Sequence, residues 1–193
     1  MPEQFSFLDE PKTSTDRLFF AVLPDAATKQ RAAKLTQELH REHGLSGKPV
    51  AADKLHVTLH FMGDHPGLPT AMIKSISSEA ALIKVPVFTA KLDYSGSFAG
   101  RPDRNPLVLR GGDGVAGFVG LYKALTKAAL IGKAKVVSAH TFTPHMTLFY
   151  GSRLADVQVE PLEWTVNEFV LLRSDLGLGK PYEVLGRWAL QGY

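Results

Sequence analysis

The chain contains no cysteine. Disulfides, thiolate zinc sites, iron–sulfur clusters and cysteine nucleophiles are therefore excluded. No apolar run approaches the roughly 18 residues that a membrane-spanning helix needs, so no membrane partner is expected. The opening segment, MPEQFSFLDEPKTSTD, carries acids early and lacks the basic-then-apolar pattern of a secretory signal. It reads as a polar tail over 1–16 ahead of a single domain over 17–193, and a cytoplasmic location is the expectation. Charge of one sign is scarce too: 22 Lys+Arg face 19 Asp+Glu, a formal charge of +3. That is far from the density of a non-specific DNA coater, but it admits an anionic ligand.

What is present suits a folded core. The chain has 193 residues, 45% hydrophobic and 21% charged, enough for one domain or two small lobes. Arg17 to Leu23 (RLFFAVL) reads as a strand buried on both faces. Asp25 is the expected N-cap of a helix whose apolar stripe, Ala32, Leu35 and Leu39, runs to about His43, where Gly44 supplies a stop. A strand over Leu55–Met62 should end at Gly63. Met72, Ile73, Ile76, Ala80 and Ile83 mark a second helix. A third, about Val115–Leu130, should bury Val115, Phe118, Val119, Tyr122, Leu125 and Ala129. Further strands are expected at Pro86–Leu92, Leu107–Arg110, Val136–Val137, Met146–Tyr150, Glu168–Leu172 and Tyr182–Leu190. The polar stretch Ser95–Asn105 reads as a loop, and SDLGLGKP as a hairpin turn. Strands and helices alternate without a regular βαβ rhythm, which predicts an α+β fold.

One short repeat carries the chemistry. His56-Val57-Thr58-Leu59-His60-Phe61-Met62-Gly63 and His145-Met146-Thr147-Leu148-Phe149-Tyr150-Gly151 each read His-x-Thr-Leu, then an aromatic and a glycine. In a strand, residues i and i+2 face the same way. His56 and Thr58 then share one face, and so do His145 and Thr147. Two such strands related by approximate twofold symmetry put two imidazoles and two hydroxyls around one cleft. One neutral imidazole takes a proton from water while the other, protonated, gives one to a leaving oxygen. The hydroxyls donate to the non-bridging oxygens of an anion between them. Displacement at phosphorus needs attacking and leaving groups roughly in line, which such a pair supplies.

RLFFAVLP, LHVTLHFMG, FTPHMTLFYG and the tail YEVLGRWAL resemble the 2H phosphoesterase superfamily, in its RNA 2′,3′-cyclic phosphodiesterase branch, often labelled 2′-5′ RNA ligase. The resemblance spans about Arg17 to Leu190. It implies a bilobal, pseudo-twofold α+β fold, with two mainly antiparallel sheets flanking a central cleft and helices outside. It implies metal-independent hydrolysis of 2′,3′-cyclic phosphates, on RNA ends or nucleotides, to 2′-phosphomonoesters. No cofactor and no obligate protein partner are implied, and a monomer is expected. By this resemblance His56 and His145 are the acid/base pair and Thr58 and Thr147 hold the phosphate, with His145 taken as base and His56 as acid. The alternatives are ligation or cleavage of 2′-5′ linkages, action on a small cyclic nucleotide, and a non-catalytic module that binds RNA ends. One position departs from the family pattern: Tyr150 stands where many members carry arginine. Tyrosine stacks or donates one hydrogen bond but neutralises no charge, so Arg153 or Arg110 is the expected substitute cation.

Other features have plainer readings. Phe61 and Tyr150 are candidates to stack on bases, although Phe61 points away from His56 in an ideal strand. His60 shares the face of His56 in that ideal strand, at the cleft mouth or in solvent. A zinc site from His56, His60, His140 and His145 would have no nearby carboxylate or thiolate, and the pairwise pattern suits proton transfer better, so no metal is expected. Gly112 to Gly117 matches G-x-G-x-x-G, but no acid follows between Asp113 and Asp156, so it reads as a turn into a helix. Lys123, Lys127, Lys133, Lys135 and Arg153 form a basic zone. Lys48, Lys54, Arg101 and Arg104 lie in or beside loops, where they could meet an RNA backbone.

Overall fold

The apolar run at the start of the domain becomes the centre of a sheet. In a computed structural model, which describes residues 15–101, 104–132, 142–176 and 179–191, β1 spans Thr15–Val22. Leu18, Phe20 and Val22 face a helix-covered core, while Phe19 and Ala21 join a smaller cluster on the opposite side with Val170 and Leu172. The strand is thus buried on both faces, as its composition requires. It begins ahead of the expected Arg17: Asp16 belongs to it and is buried, held by the Arg173 guanidinium at 2.8 Å.

The remaining elements are α1 (Ala26–Glu42), β2 (Gly47–Pro49), β3 (Val57–Pro66), α2 (Thr70–Ala80), β4 (Phe88–Ser97), β5 (Asn105–Arg110), α3 (Ala116–Ile131), β6 (His145–Gly151), β7 (Val157–Val166), β8 (Glu168–Leu176) and β9 (Glu183–Ala189). Asp25 caps α1 as expected, accepting from the Thr28 amide at 2.7 Å. Gly44 follows that helix at φ +58°. The nine strands run in the order β7-β4-β5-β6-β3-β1-β8-β9, with β2 added on β6. All their ladders are antiparallel. Two half-sheets are visible in this order, and one register pair, Val57↔Met146, joins them edge to edge. The helices pack on the face where Val57, Leu59, Met146 and Leu148 are buried.

Several expectations change. β3 does not stop at Gly63, which adopts φ +110° and pairs with Leu18 beside a register shift. The glycine serves a bulge rather than an end. β4 extends through Ser97, into the stretch expected to be a loop from Ser95, and Ser95 is buried. β2 and β7 were not expected. β7 lies at the sheet edge, where Pro161 costs no ladder bond and exposed residues alternate with half-buried or buried ones. α3 turns Leu121 and Ala128 inward beside Phe118, Leu125 and Ala129, leaving Val119 and Tyr122 half-buried. Val115 is half-buried too, in the short turn Asp113–Val115 that leads into α3. The segment Asp113–Ile131 is long and apolar enough to cross a membrane, yet it carries Lys123 and Lys127 and packs on α2, β3 and β4. The expected strand at Val136–Val137 lies outside the described residues.

Candidate active site

The single pair joining the half-sheets decides where the repeated motifs lie. Val57 follows His56, and Met146 follows His145. Val57 and Met146 are fully buried towards the helices, so alternation turns His56, Thr58, His145 and Thr147 to the opposite face. Antiparallel sense then carries Thr58 towards His145 and His56 towards Thr147. All four line one cleft of about 1090 Å³.

The repeat extends into the backbone. Against β1, Phe20 pairs with His60 and Ala21 with Thr58, leaving Leu59 as the extra residue of a bulge. Against β5, Leu107 pairs with Phe149 and Val108 with Thr147, leaving Leu148 in the same place. Each bulge inverts the alternation that follows it. Phe61 and Tyr150 consequently line the cleft, which corrects the ideal-strand reading of Phe61. His60 moves the other way. It is only 2% exposed and its ring lies 6.1 Å from Tyr122 of α3, not at the cleft mouth. It therefore cannot join His56 and His145 around an ion. His140 is outside the described residues, among which no cluster of three or more His, Asp or Glu is placed to hold a metal.

Both motif histidines are oriented by the same device. His56 Nδ1 lies 2.7 Å from the Lys54 carbonyl, and His145 Nδ1 lies 2.8 Å from the Thr143 carbonyl. A carbonyl only accepts, so each Nδ1 carries a proton and donates it, leaving Nε2 for chemistry. The Thr58 hydroxyl lies 3.0 Å from His56 Nε2 and donates to it. Phe19 and Tyr182 hold the His56 ring at centroid distances of 5.1 and 5.4 Å, and Phe98 packs edge-on to His145 at 5.0 Å.

Burial is the main force pulling both imidazoles below the ordinary histidine value. The carbonyl partners oppose it. The two rings disfavour charge further through their neighbours: His145 acts on His56, and Arg110 acts on His145. Both are therefore mainly neutral near pH 7, and an anion placed between them would raise both.

The cleft is cationic. Arg17, Lys48, Lys54 and Arg104 line it, against Asp53 as the one acid of the lining among the described residues. Arg17 forms two 2.8 Å hydrogen bonds to Asp64 and lies 5.4 Å over the Phe61 ring. Arg104 lies 5.8 Å over Tyr150. Arg104, Lys48 and Arg17 are thus cations near Tyr150. Arg153 and Arg110, the expected substitutes, do not line the cleft, and Arg110 is paired with Asp156. Lys123 and Lys127 are exposed on α3 away from the cleft, and Lys133 and Lys135 are outside the described residues. Arg17, Phe19 and Tyr182 were missed as site residues. Arg17 and Phe19 read as strand composition, and nothing local marks Tyr182.

A sequence model described as the 2′-5′ RNA ligase superfamily matches residues 23–178. The chain belongs to that family. It is 34% identical over 186 residues to an RNA 2′,3′-cyclic phosphodiesterase of Escherichia coli, covering 90% of this chain and 96% of the relative. It is 32% identical over 187 residues to a protein of the same description from Thermus thermophilus, with 91% of each covered. The crystal structure of E. coli LigT in apo form superposes with a TM-score of 0.76 at 30% identity, covering 92% of this chain and 99% of that one. The mainly antiparallel α+β architecture described above is the fold of this family.

Proposed function

We propose that the cleft hydrolyses 2′,3′-cyclic phosphates on RNA ends or nucleotides to 2′-phosphomonoesters. The observation that carries this reading is the convergence of both His-x-Thr motifs on one cationic cleft, with both Nδ1 atoms tied to carbonyls.

In the proposed reaction the cyclic phosphate lies between the two Nε2 atoms. Thr58 and Thr147 donate to its non-bridging oxygens. Recruiting the Thr58 proton frees His56 Nε2, and the nearby negative charge favours protonation of that ring. His145 Nε2 removes a proton from water as the water oxygen bonds to phosphorus. The phosphorus–O3′ bond breaks on the opposite side, and His56 Nε2–H gives its proton to the departing O3′. The product keeps the 2′-phosphate and gains a 3′-hydroxyl. Phe61 and Tyr150 offer rings for base stacking, and Arg17, Lys48, Lys54 and Arg104 offer charge for a polynucleotide backbone.

The test is turnover of a 2′,3′-cyclic mononucleotide in excess EDTA, with product identified as the 2′-monophosphate. His56→Ala and His145→Ala should each lower kcat by roughly 10² or more. Full activity in the double variant would sink the two-histidine reading. Tight binding without product over hours would make the cleft a recognition module.

A further inference from the structure

We propose that Arg110 is a positioning residue for His145, a built-in cation that keeps this imidazole the proton acceptor of the pair. The inference rests on the two-histidine reading above. In the β5–β6 ladder Arg110 sits directly opposite His145, a placement that brings the two Cβ atoms within about 5 Å. Phe98 fills the corner between them. Its ring is edge-on to His145 at 5.0 Å and lies 5.5 Å beneath the Arg110 guanidinium. Arg110 Nη2 bonds Asp156, while its Nε is buried without a hydrogen-bond partner among the described residues. Gly96 makes room for this arrangement: a Cβ there would run into the Asp156 carboxylate and approach Arg110 Nη2 at 3.2 Å.

The other half of the molecule differs at the matching strand position. Leu109 pairs with Met146 as Val22 pairs with Val57. The residue after Leu109 is Arg110, and the residue after Val22 is Leu23, which packs in the apolar cluster of Phe19 and Ala21. One imidazole therefore has a cation directly across the ladder. Its twofold mate has Leu23 on that side, and Lys54, whose Nζ donates to the Gly179 carbonyl, lies 5.8 Å over Tyr182, edge-on to His56. Among the described residues, the other charged or titratable groups that share the cleft with His145 are His56, Asp53 and Lys54 ahead of β3, Arg17 of β1, Lys48 of β2, Arg104 ahead of β5, Tyr150 of β6 itself and Tyr182 ahead of β9. On the helix face, α1 places His40 against Phe149. Asp156 is the acid tied to Arg110.

A nearby cation disfavours the imidazolium form. When the anionic substrate enters, the Arg110 charge still opposes protonation of His145 and so favours its part as the base. Acid and base are thereby distinguished in a site whose local geometry is nearly symmetric. Asp156 tempers the effect by partly neutralising Arg110.

The experiment is an NMR titration of the histidine Cε1–H resonances in the full-length protein, assigned with His56→Asn and His145→Asn. In Arg110→Leu the His145 resonance should titrate at higher pH than in wild type. In Asp156→Asn, which leaves the guanidinium unpaired, it should titrate at lower pH. His56 should move less in both, and Arg110→Lys should restore wild-type behaviour. On the acid limb of the kcat/KM profile, Arg110→Leu should fall about threefold below wild type, the order expected of one partly screened charge. An unchanged His145 titration in both variants, or a shift in the same direction in both, overturns the proposal. Should Arg110→Leu not fold, Asp156→Asn decides alone, since Asp156 is 65% exposed. The resonance reports on His145 without turnover, so absence of cyclic phosphodiesterase activity would remove the proposed function and leave this reading standing or falling separately.

Discussion

Replacing His60 by leucine tests the placement of the motif side chains directly. The wild-type ring is buried against α3, and its Nε2 has no partner among the described residues. Burial alone pulls its pKa below the ordinary value of 6.5. The sign follows from linkage. The unfolded chain takes up the proton first as pH falls, so stability is intact above about 6.5 and is lost between that value and the folded pKa. One such group costs up to about 1.4 kcal/mol per pH unit inside that window. His56 and His145 shift the same way and add to the loss. Asp25 and Asp64, held low by hydrogen bonds from Thr28 and from Arg17, start from 3.8, so their losses come at lower pH. His60→Leu should therefore flatten the decline between about pH 7.5 and pH 5.5, keeping the shares of the other two histidines. At about pH 7.5 it should gain roughly 1 kcal/mol, because an unpaired buried nitrogen is removed. Urea midpoints at the two pH values measure both effects, and turnover of a cyclic mononucleotide should be unchanged. A variant as acid-sensitive as wild type, or one that loses catalysis, would show that His60 does not sit in the core.

Thr58→Val and Thr147→Val should each lower kcat/KM by about 10- to 100-fold, the loss of one hydrogen bond to a charged oxygen, as measured by steady-state kinetics. Arg104→Ala and Lys48→Ala should each reduce the salt dependence of single-stranded RNA binding by about 0.7 in log–log slope. Turnover of the cyclic mononucleotide should respond less than binding of the oligonucleotide. Gly47→Ala should destabilise the cleft rim by at least about 1 kcal/mol, seen as a lower thermal midpoint. The glycine sits at φ +143°, and its new Cβ would meet the Tyr150 carbonyl.

Much of this protein was legible along the chain. Apolar runs and Gly or Asp punctuation located β1, α1, α2, α3, β8 and β9, although β8 runs on through Leu176 into the stretch expected as a hairpin turn. The doubled His-x-Thr pattern, through two-residue alternation, put each histidine on the same face as its threonine. Periodicity is a local property, and local reading reaches as far as the alternation holds. It fails where an extra residue breaks the period. Leu59 and Leu148 carry no mark that makes them bulges, because a bulge belongs to the pairing with β1 and with β5 rather than to the strand that contains it. Phe61 was therefore turned the wrong way and His60 was set on the cleft face.

The strand sequences determined which side chains could do the chemistry and which faces they share. Tertiary structure decided that the two faces meet, through the lone Val57↔Met146 pair between segments 89 residues apart. It also decided which cations serve the cleft. Arg17 and Arg104 arrive from β1 and from the loop before β5, while Arg110 and Arg153 are placed outside the lining. Those outcomes depend on register between distant strands, set by burial of the whole core at once, and no short window of sequence contains that information.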